Sequence, residues 1–307
     1  MKGLIVRTHN RFYHVQCGDI TRLCSPKGSF RNKEDVEYRL PVIGDEVTVE
    51  LTKEKKGVEG YITDITKRTN RLVRSDYEGR RVRVMAANLD RAMVVSGINE
   101  PGVDFGLIDR YLLTCELANI PCWLIINKIE LNPSFSQDPR LTIYRDMDIP
   151  ILEVSAETGE GMDKLDEAVS HGISYLTGAS GVGKSSLINH LAPEAGLTTG
   201  TVDPRKGKGR HTTTFSSLVA HGSGYLVDSP GLRDFYPTPV PPDQVRFGFQ
   251  EIAMAQSGCR FNGCLHDGEP GCAVVEQLEE GSISEMRYKS YLHTLHEMVA
   301  FSQSRFS

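Results

Sequence analysis

Long apolar runs are missing from this sequence. The longest, Cys122 to Ile126, covers five residues, where a bilayer span takes about twenty. The opening MKGLIVRTHNR holds no apolar stretch of signal-peptide length, so a chain without a secretory leader and without a membrane partner is expected. Excess charge of one sign is missing too: 35 Lys and Arg against 40 Asp and Glu leave −5, and bulk charge does not announce a nucleic-acid binder. Cysteine is sparse and odd in number, seven in all. Without a leader, such a count points to a reducing compartment where clustered thiols hold metal rather than pair. No internal repeat or low-complexity tract occurs. A membrane protein, a secreted disulfide scaffold and a disordered chain are therefore excluded. What remains is 307 residues, 39% of them hydrophobic, enough to build cores in two or three domains.

The charge that is present is unevenly spread. Residues 1–85 carry 18 Lys and Arg against 12 Asp and Glu, so a basic front end sits on an acidic body. Such a front end faces polyanions. Within residues 1–70, short β-branched runs (Leu4–Val6, Phe12–Val15, Asp45–Leu51, Gly60–Ile65) alternate with turn signals at Gly18-Asp19, Pro26-Lys27-Gly28, Gly44 and Gly57. That pattern predicts a small β-barrel and leaves open an OB-type or an SH3-like form. Residues 71–89 are strongly basic and read as a linker.

From residue 90 to 235 the rhythm is strand, helix, strand. Buried-strand runs at 92–95, 123–126, 151–154, 173–176, near 213–220 and 224–227 alternate with helical spacing over 104–119, 139–147, 162–170 and 184–191. This predicts a doubly wound α/β domain with its sites at the carboxyl ends of the strands. Residues 236–307 open with prolines, turn helical around a Cys/His cluster and end in a helix over 282–303.

Residues 178–185, GASGVGKS, form the complete Walker A pattern between a predicted strand and a predicted helix. Gly178, Ala179, Ser180, Gly181, Val182 and Gly183 let backbone N–H groups wrap a phosphate at a helix N-terminus. Lys184 adds positive charge at the β/γ-phosphates, and Ser185, followed by Ser186, offers a hydroxyl to Mg²⁺. Asn127, Lys128, Ile129 and Glu130 follow the strand 123–126 in the manner of the GTPase Asn-Lys-x-Asp signature. A carboxylate there accepts from guanine N1–H and the exocyclic amine; Glu130 has one methylene more than Asp and is expected to hold them more loosely. Ser155-Ala156 matches the base-backing loop. Asp228 and Gly231 fit the Asp-x-x-Gly motif, with the carboxylate toward Mg²⁺ and the Gly N–H toward the γ-phosphate. Among Thr212, Thr213 and Thr214, Thr213 is the candidate third Mg²⁺ ligand.

The order of these parts is rotated. The base motifs come before the phosphate loop instead of after it, which is a circular permutation, and the Asp228 motif then leads directly into the C-terminal segment. Further on, Cys259, Cys264, His266 and Cys272 fall within fourteen residues as C-x4-C-x-H-x5-C. Three thiolates and an imidazole are a closed tetrahedral set for one structural Zn²⁺.

With these motifs in this order, the chain resembles the circularly permuted GTPases that depend on the small ribosomal subunit, the RsgA (YjeQ) family. Pro41-Val42-Ile43-Gly44-Asp45, Ala86-Ala87-Asn88-Leu89-Asp90, NKIE, GASGVGKSS, GRHTTT, DSPGL and the Cys/His cluster carry the likeness over nearly the whole chain. The resemblance implies an N-terminal OB-fold for RNA, a permuted GTPase domain using Mg²⁺ with GTP or GDP, and a C-terminal zinc-binding domain. It also implies a cytoplasmic monomer that hydrolyses GTP on the small subunit during late maturation and assembly-factor release, stimulated by the subunit's rRNA. A nucleotide-sensing RNA-binding module with negligible turnover is the alternative; a metabolic phosphate-loop kinase fits less well, because two switch-like segments stand where a substrate lid is expected.

Two further expectations follow. Arg205, Lys206, Lys208 and Arg210 form a basic run expected to face rRNA phosphates, which set position more than they read bases. The residue after Gly231 is Leu232, which cannot orient a water as the Gln of Ras-type enzymes does. His211 is the nearest group able to accept a hydrogen bond from water near neutral pH, and the resemblance points to the same residue.

Overall fold

The computed structural model describes residues 1–9, 11–28, 40–55, 57–99, 102–197, 217–229 and 235–304. Five strands open the chain: β1 (Lys2–His9), β2 (Phe12–Cys17), β3 (Ile20–Pro26), β4 (Glu46–Lys55) and β5 (Val58–Ile65). Period-2 alternation drives them, as in β5, where Val58, Gly60 and Ile62 turn inward between half-buried neighbours. Ile5, Val15, Cys24, Val47, Val49 and Ile62 meet in one core. The strands pair β1–β2–β3, then β3 with β5 in parallel, then β5 with β4, and β4 returns to β1. That ring, with its one parallel pair, is the OB-type Greek key. Alternation alone records which residues face in, not which strand each pairs with, so only the pairing decides against an SH3-like barrel.

The stretch 71–89 is not an irregular linker. It forms a two-stranded sheet of β6 (Arg71–Ser75) and β7 (Val82–Ala87). The arginines obscured the alternation of Leu72, Ala86 and the β-branched Val73, Val82 and Val84. Leu72, Ala86 and Ala87 are fully buried, and Asp76 accepts the N–H groups of Arg80 and Arg81 to close the turn.

The α/β unit follows with β8 (Arg91–Gly97), α1 (Phe105–Leu117), β9 (Cys122–Asn127), α2 (Pro139–Asp146), β10 (Ile151–Val154), α3 (Met162–Val169), β11 (Ile173–Thr177), α4 (Lys184–Leu191), β12 (Ser217–His221) and β13 (Gly224–Asp228). Its strand order is β10-β9-β8-β11-β13-β12, parallel except for β12. Local chemistry sets the helix ends. Asp104 caps α1 by accepting from the Leu107 N–H, and Asn119 just beyond it takes a left-handed φ of 53°. Asp138 caps α2 ahead of Pro139. The barrel joins this sheet through the pair Arg7–Ser217 between β1 and β12.

The remaining residues form α5 (Gln250–Ala255), α6 (Ala273–Glu279) and α7 (Glu285–Ser304), the last three residues shorter at its start than its spacing suggests. Val245, Phe249, Ile252, Leu295 and Met298 pack with Leu113 of α1, so this module shares a core with the α/β unit. Arg287 of α7, 1% exposed, reaches Asp109 of α1 and, at 2.7 Å, Glu251 of α5.

In the barrel, Asp45 is fully buried, accepts from the Val42 N–H at 2.7 Å and holds Arg68 through two 2.7 Å contacts. Removing one partner of such a pair strands the other charge. Asp45→Ala is expected to cost about 3–5 kcal/mol of unfolding free energy, read as a lowered urea midpoint.

Candidate functional site

Parallel pairing carries the motifs to one edge. Gly97 of β8 lies opposite Asn127 of β9, which lies opposite Val154 of β10; on the other side Leu176 of β11 pairs with Asp228 of β13. Each strand ends there, so the Asn127–Glu130, Ser155-Ala156, 178–186 and Asp228 segments converge although sequence separates them. The rotated order leaves this edge unchanged.

The phosphate loop fits only glycine at two points. Gly178 has φ 139° and a Cβ there would lie 2.1 Å from the Val95 carbonyl oxygen. Gly183 has φ 98°, with Asn127 Nδ2 2.2 Å from where its Cβ would be. The base motif is bound to this loop directly. Asn127 Nδ2 donates to the Val182 carbonyl at 2.8 Å and its Oδ1 accepts the Ala156 N–H at 3.2 Å. Lys128, held at φ 69°, donates from Nζ to the Gly181 carbonyl at 2.8 Å. Asn127 and Lys128 thus tie three loops together, a task their expected contacts with the base did not include. Ile129 packs into the core beside α1, and Ser155 Oγ accepts the Thr158 N–H at 3.0 Å to shape its loop.

Charge is concentrated inside the loop. Lys184 is 6% exposed, and Nζ donates to the carbonyls of Gly178 at 3.0 Å and Ala179 at 2.8 Å. Burial pulls its ammonium down to about 8, against the pull of Asp228. A triphosphate would supply the missing negative charge. Ser185, in the first turn of α4, and the buried Asp228 one strand away are hard oxygen donors of the kind Mg²⁺ takes. Glu130 Oε2 is buried with no hydrogen-bond partner among the described residues. Thr213, His211, Gly231 and the run Arg205, Lys206, Lys208, Arg210 lie outside the described residues.

The second site lies between α5 and α6. The ligand atoms of Cys259, Cys264, His266 and Cys272 all lie within 4.8 Å of one another. His266 turns Nδ1 to the thiols, 3.4 Å from Cys272 Sγ and 3.6 Å from Cys259 Sγ. A tetrahedron with zinc–sulfur bonds of about 2.3 Å has edges of about 3.8 Å, so the four fit one zinc ion. Burial pushes the Cys264 thiol up to about 12, pushes Cys272 up as well, and keeps His266 neutral by lowering it. A bound cation would favour the thiolate forms. Glu269 accepts the N–H groups of Leu265 and Asp267, while Tyr291 and Tyr288 of α7 donate to the carbonyls of Leu265 and His266.

Sequence reading missed the neighbours behind the phosphate loop. Tyr111 of α1 shares a hydroxyl hydrogen bond with Thr177, the residue before Gly178. Its helical spacing marked it only as core, and nothing in the pattern distinguished its hydroxyl.

The RsgA GTPase family model matches residues 65–237, and the RsgA N-terminal domain model matches 2–62. The chain is 40% identical over 298 residues to the small ribosomal subunit biogenesis GTPase RsgA of Actinobacillus pleuropneumoniae serotype 5b (strain L20), covering 94% of this chain and 83% of that one. It is 37% identical to the protein of the same name from Porphyromonas gingivalis (strain ATCC BAA-308 / W83), covering 97% of each. Among solved structures it is similar to YjeQ from Thermotoga maritima, with a TM-score of 0.70 at 28% identity over 97% of this chain and 98% of that one. It is similar also to YloQ, described as a circularly permuted GTPase, with a TM-score of 0.69 at 26% identity over 97% and 94%.

Two outcomes are expected from these sites. Phosphate binding favours the Lys184 ammonium, which is already present near pH 7; above about pH 8 the free protein must take up a proton to bind. GDP affinity, measured by titration, is then level around pH 7 and falls by up to about tenfold per pH unit above pH 8. Metal analysis is expected to find one zinc per chain, and Cys264→Ala to lose it. Because zinc supplies on the order of 10 kcal/mol to such a site, that variant unfolds the C-terminal module first, visible as new protease cuts after residue 236.

Proposed function

The chain belongs to the RsgA GTPase family and is a GTP hydrolase, and we propose that it works on the small ribosomal subunit, late in that particle's maturation. The observation that carries this reading is the combination, in one chain, of a guanine-type phosphate-loop edge, an OB-type barrel and a zinc-type Cys/His cluster. The relatives at 40% and 37% identity are small ribosomal subunit biogenesis GTPases, and that name supplies the particle.

In this reading GTP and GDP bind with Mg²⁺. Glu130 accepts from the guanine edge, Asn127, Lys128 and Ala156 keep the base loop against the phosphate loop, and Lys184 with the loop N–H groups neutralises the phosphates. Mg²⁺ stabilises charge on the phosphates, with Ser185, Asp228 and Thr213 as its protein ligands. His211 accepts a hydrogen bond from the attacking water, and Gly231 donates toward the γ-phosphate. The basic barrel and Arg205, Lys206, Lys208 and Arg210 contact rRNA phosphates. The subunit orders His211 against the nucleotide and so stimulates turnover, and hydrolysis is coupled to late maturation and the release of assembly factors. The protein acts as a cytoplasmic monomer carrying one structural Zn²⁺.

The test is GTP turnover by the purified chain with small subunits, large subunits or naked RNA. Small subunits alone are expected to accelerate it, and the association to weaken steeply with salt through counterion release. His211→Ala is expected to keep GTP affinity and subunit binding while losing most of the acceleration, about 10²-fold or more on the scale of acid–base and water-positioning groups. Equal acceleration by large subunits, or full acceleration in His211→Ala, contradicts the proposal.

A further inference from the structure

Two adjacent residues of α1 face different parts of the molecule. Tyr111, 1% exposed, touches Thr177 immediately before the phosphate loop and stacks its ring on Phe235 at a centroid distance of 3.9 Å. Arg110 donates from Nη1 to the Phe235 carbonyl at 3.3 Å. Its Nη2 reaches Glu297 Oε1 of α7 at 2.9 Å and lies 2.7 Å from His293 Nε2. The guanidinium also lies 5.6 Å from the Tyr236 ring centroid.

The other side of this segment is held as well. Ser75 of the β6–β7 hairpin donates its N–H to the Tyr236 carbonyl at 2.9 Å and its hydroxyl to that of Pro237 at 2.9 Å. Residues 235–237 are therefore clasped between α1 and the hairpin. Arg110 and Glu297 keep 15% and 20% of their side-chain surface exposed, so their attraction is screened less than that of a surface pair. The planar fork holds the Phe235 carbonyl and the Glu297 carboxylate through separate nitrogens in a fixed geometry, which a lysine would not reproduce.

We propose that Arg110 is a positioning residue that, beside the Tyr111–Thr177 contact, couples the occupancy of the phosphate loop to the C-terminal helix α7. The inference rests on the nucleotide reading above. Coupling of this kind is reciprocal: whatever the C-terminal module docks against changes nucleotide affinity by the factor with which nucleotide changes docking. A mere staple between modules would hold α7 equally in every nucleotide state.

Hydrogen exchange on the full zinc-loaded chain separates the two. With Mg²⁺ present, amide protection across 285–304 is expected to differ between GDP and a non-hydrolysable GTP analogue by about fivefold or more, the lower end of usual coupling factors. In Arg110→Ala and in Glu297→Gln that difference collapses to less than about twofold, while nucleotide affinity and zinc content remain near those of the parent chain. Should Arg110→Ala lose zinc or the helix, Glu297→Gln alone carries the same expectation. A difference that persists in the folded variants overturns the coupling, as does its absence in a parent chain that binds both nucleotides. Failure of the parent chain to bind guanine nucleotides, seen directly by titration, overturns the nucleotide reading instead and the coupling with it.

Discussion

Parallel hydrogen bonding from β10 through β9, β8 and β11 to β13 is the constraint on which the rest depends. Parallel neighbours end on the same side, so four segments that are far apart in sequence deliver their loops to one edge. A circular permutation cuts the chain elsewhere and leaves the ladder intact. The guanine-type motifs therefore meet the phosphate loop although they precede it by some fifty residues, the separation of Asn127 from Val182 being 55.

What the ladder brings together, side chains then bind to one another. Asn127 spends its amide on Val182 and Ala156, and Lys128 spends its ammonium on Gly181. Base loop and phosphate loop are held as a unit, which lowers the ordering cost of binding a ligand that spans both. Lys184 sits at the centre of that unit, desolvated and poised. Its burial weakens the ammonium alone and strengthens it against an anion, because the same low dielectric acts on both.

The C-terminal module is not an appendage on a tether. Arg287, sandwiched over Phe249 at 4.4 Å and near Tyr144 at 5.4 Å, pairs with the buried Asp109 and the partly exposed Glu251. Removing Arg287 would leave the buried Asp109 uncompensated. The Cys/His cluster rests on the same helix through Tyr288 and Tyr291. The module is thus fastened to α1 by Arg287 at one level and by Arg110 at another.

Much of this molecule is written locally. The GASGVGKS run, the Asn127–Glu130 tetrapeptide and the Cys259–Cys272 spacing each carry their chemistry within a few residues, because phosphate and metal recognition need fixed residue types at short range. The strand–helix rhythm from residue 90 is equally local, since burial periodicity repeats every two or 3.6 residues. The pairing of β3 with β5 is not local, and it alone distinguishes the OB-type ring. The hairpin at 71–87 also escaped, because its arginines masked the alternation that its buried Leu72 and Ala86 satisfy. Arg110, Tyr111 and Arg287 read as ordinary helix residues. Their partners lie 66 to 187 positions away in most cases, and only the folded chain decides which distant carbonyl or carboxylate a side chain meets.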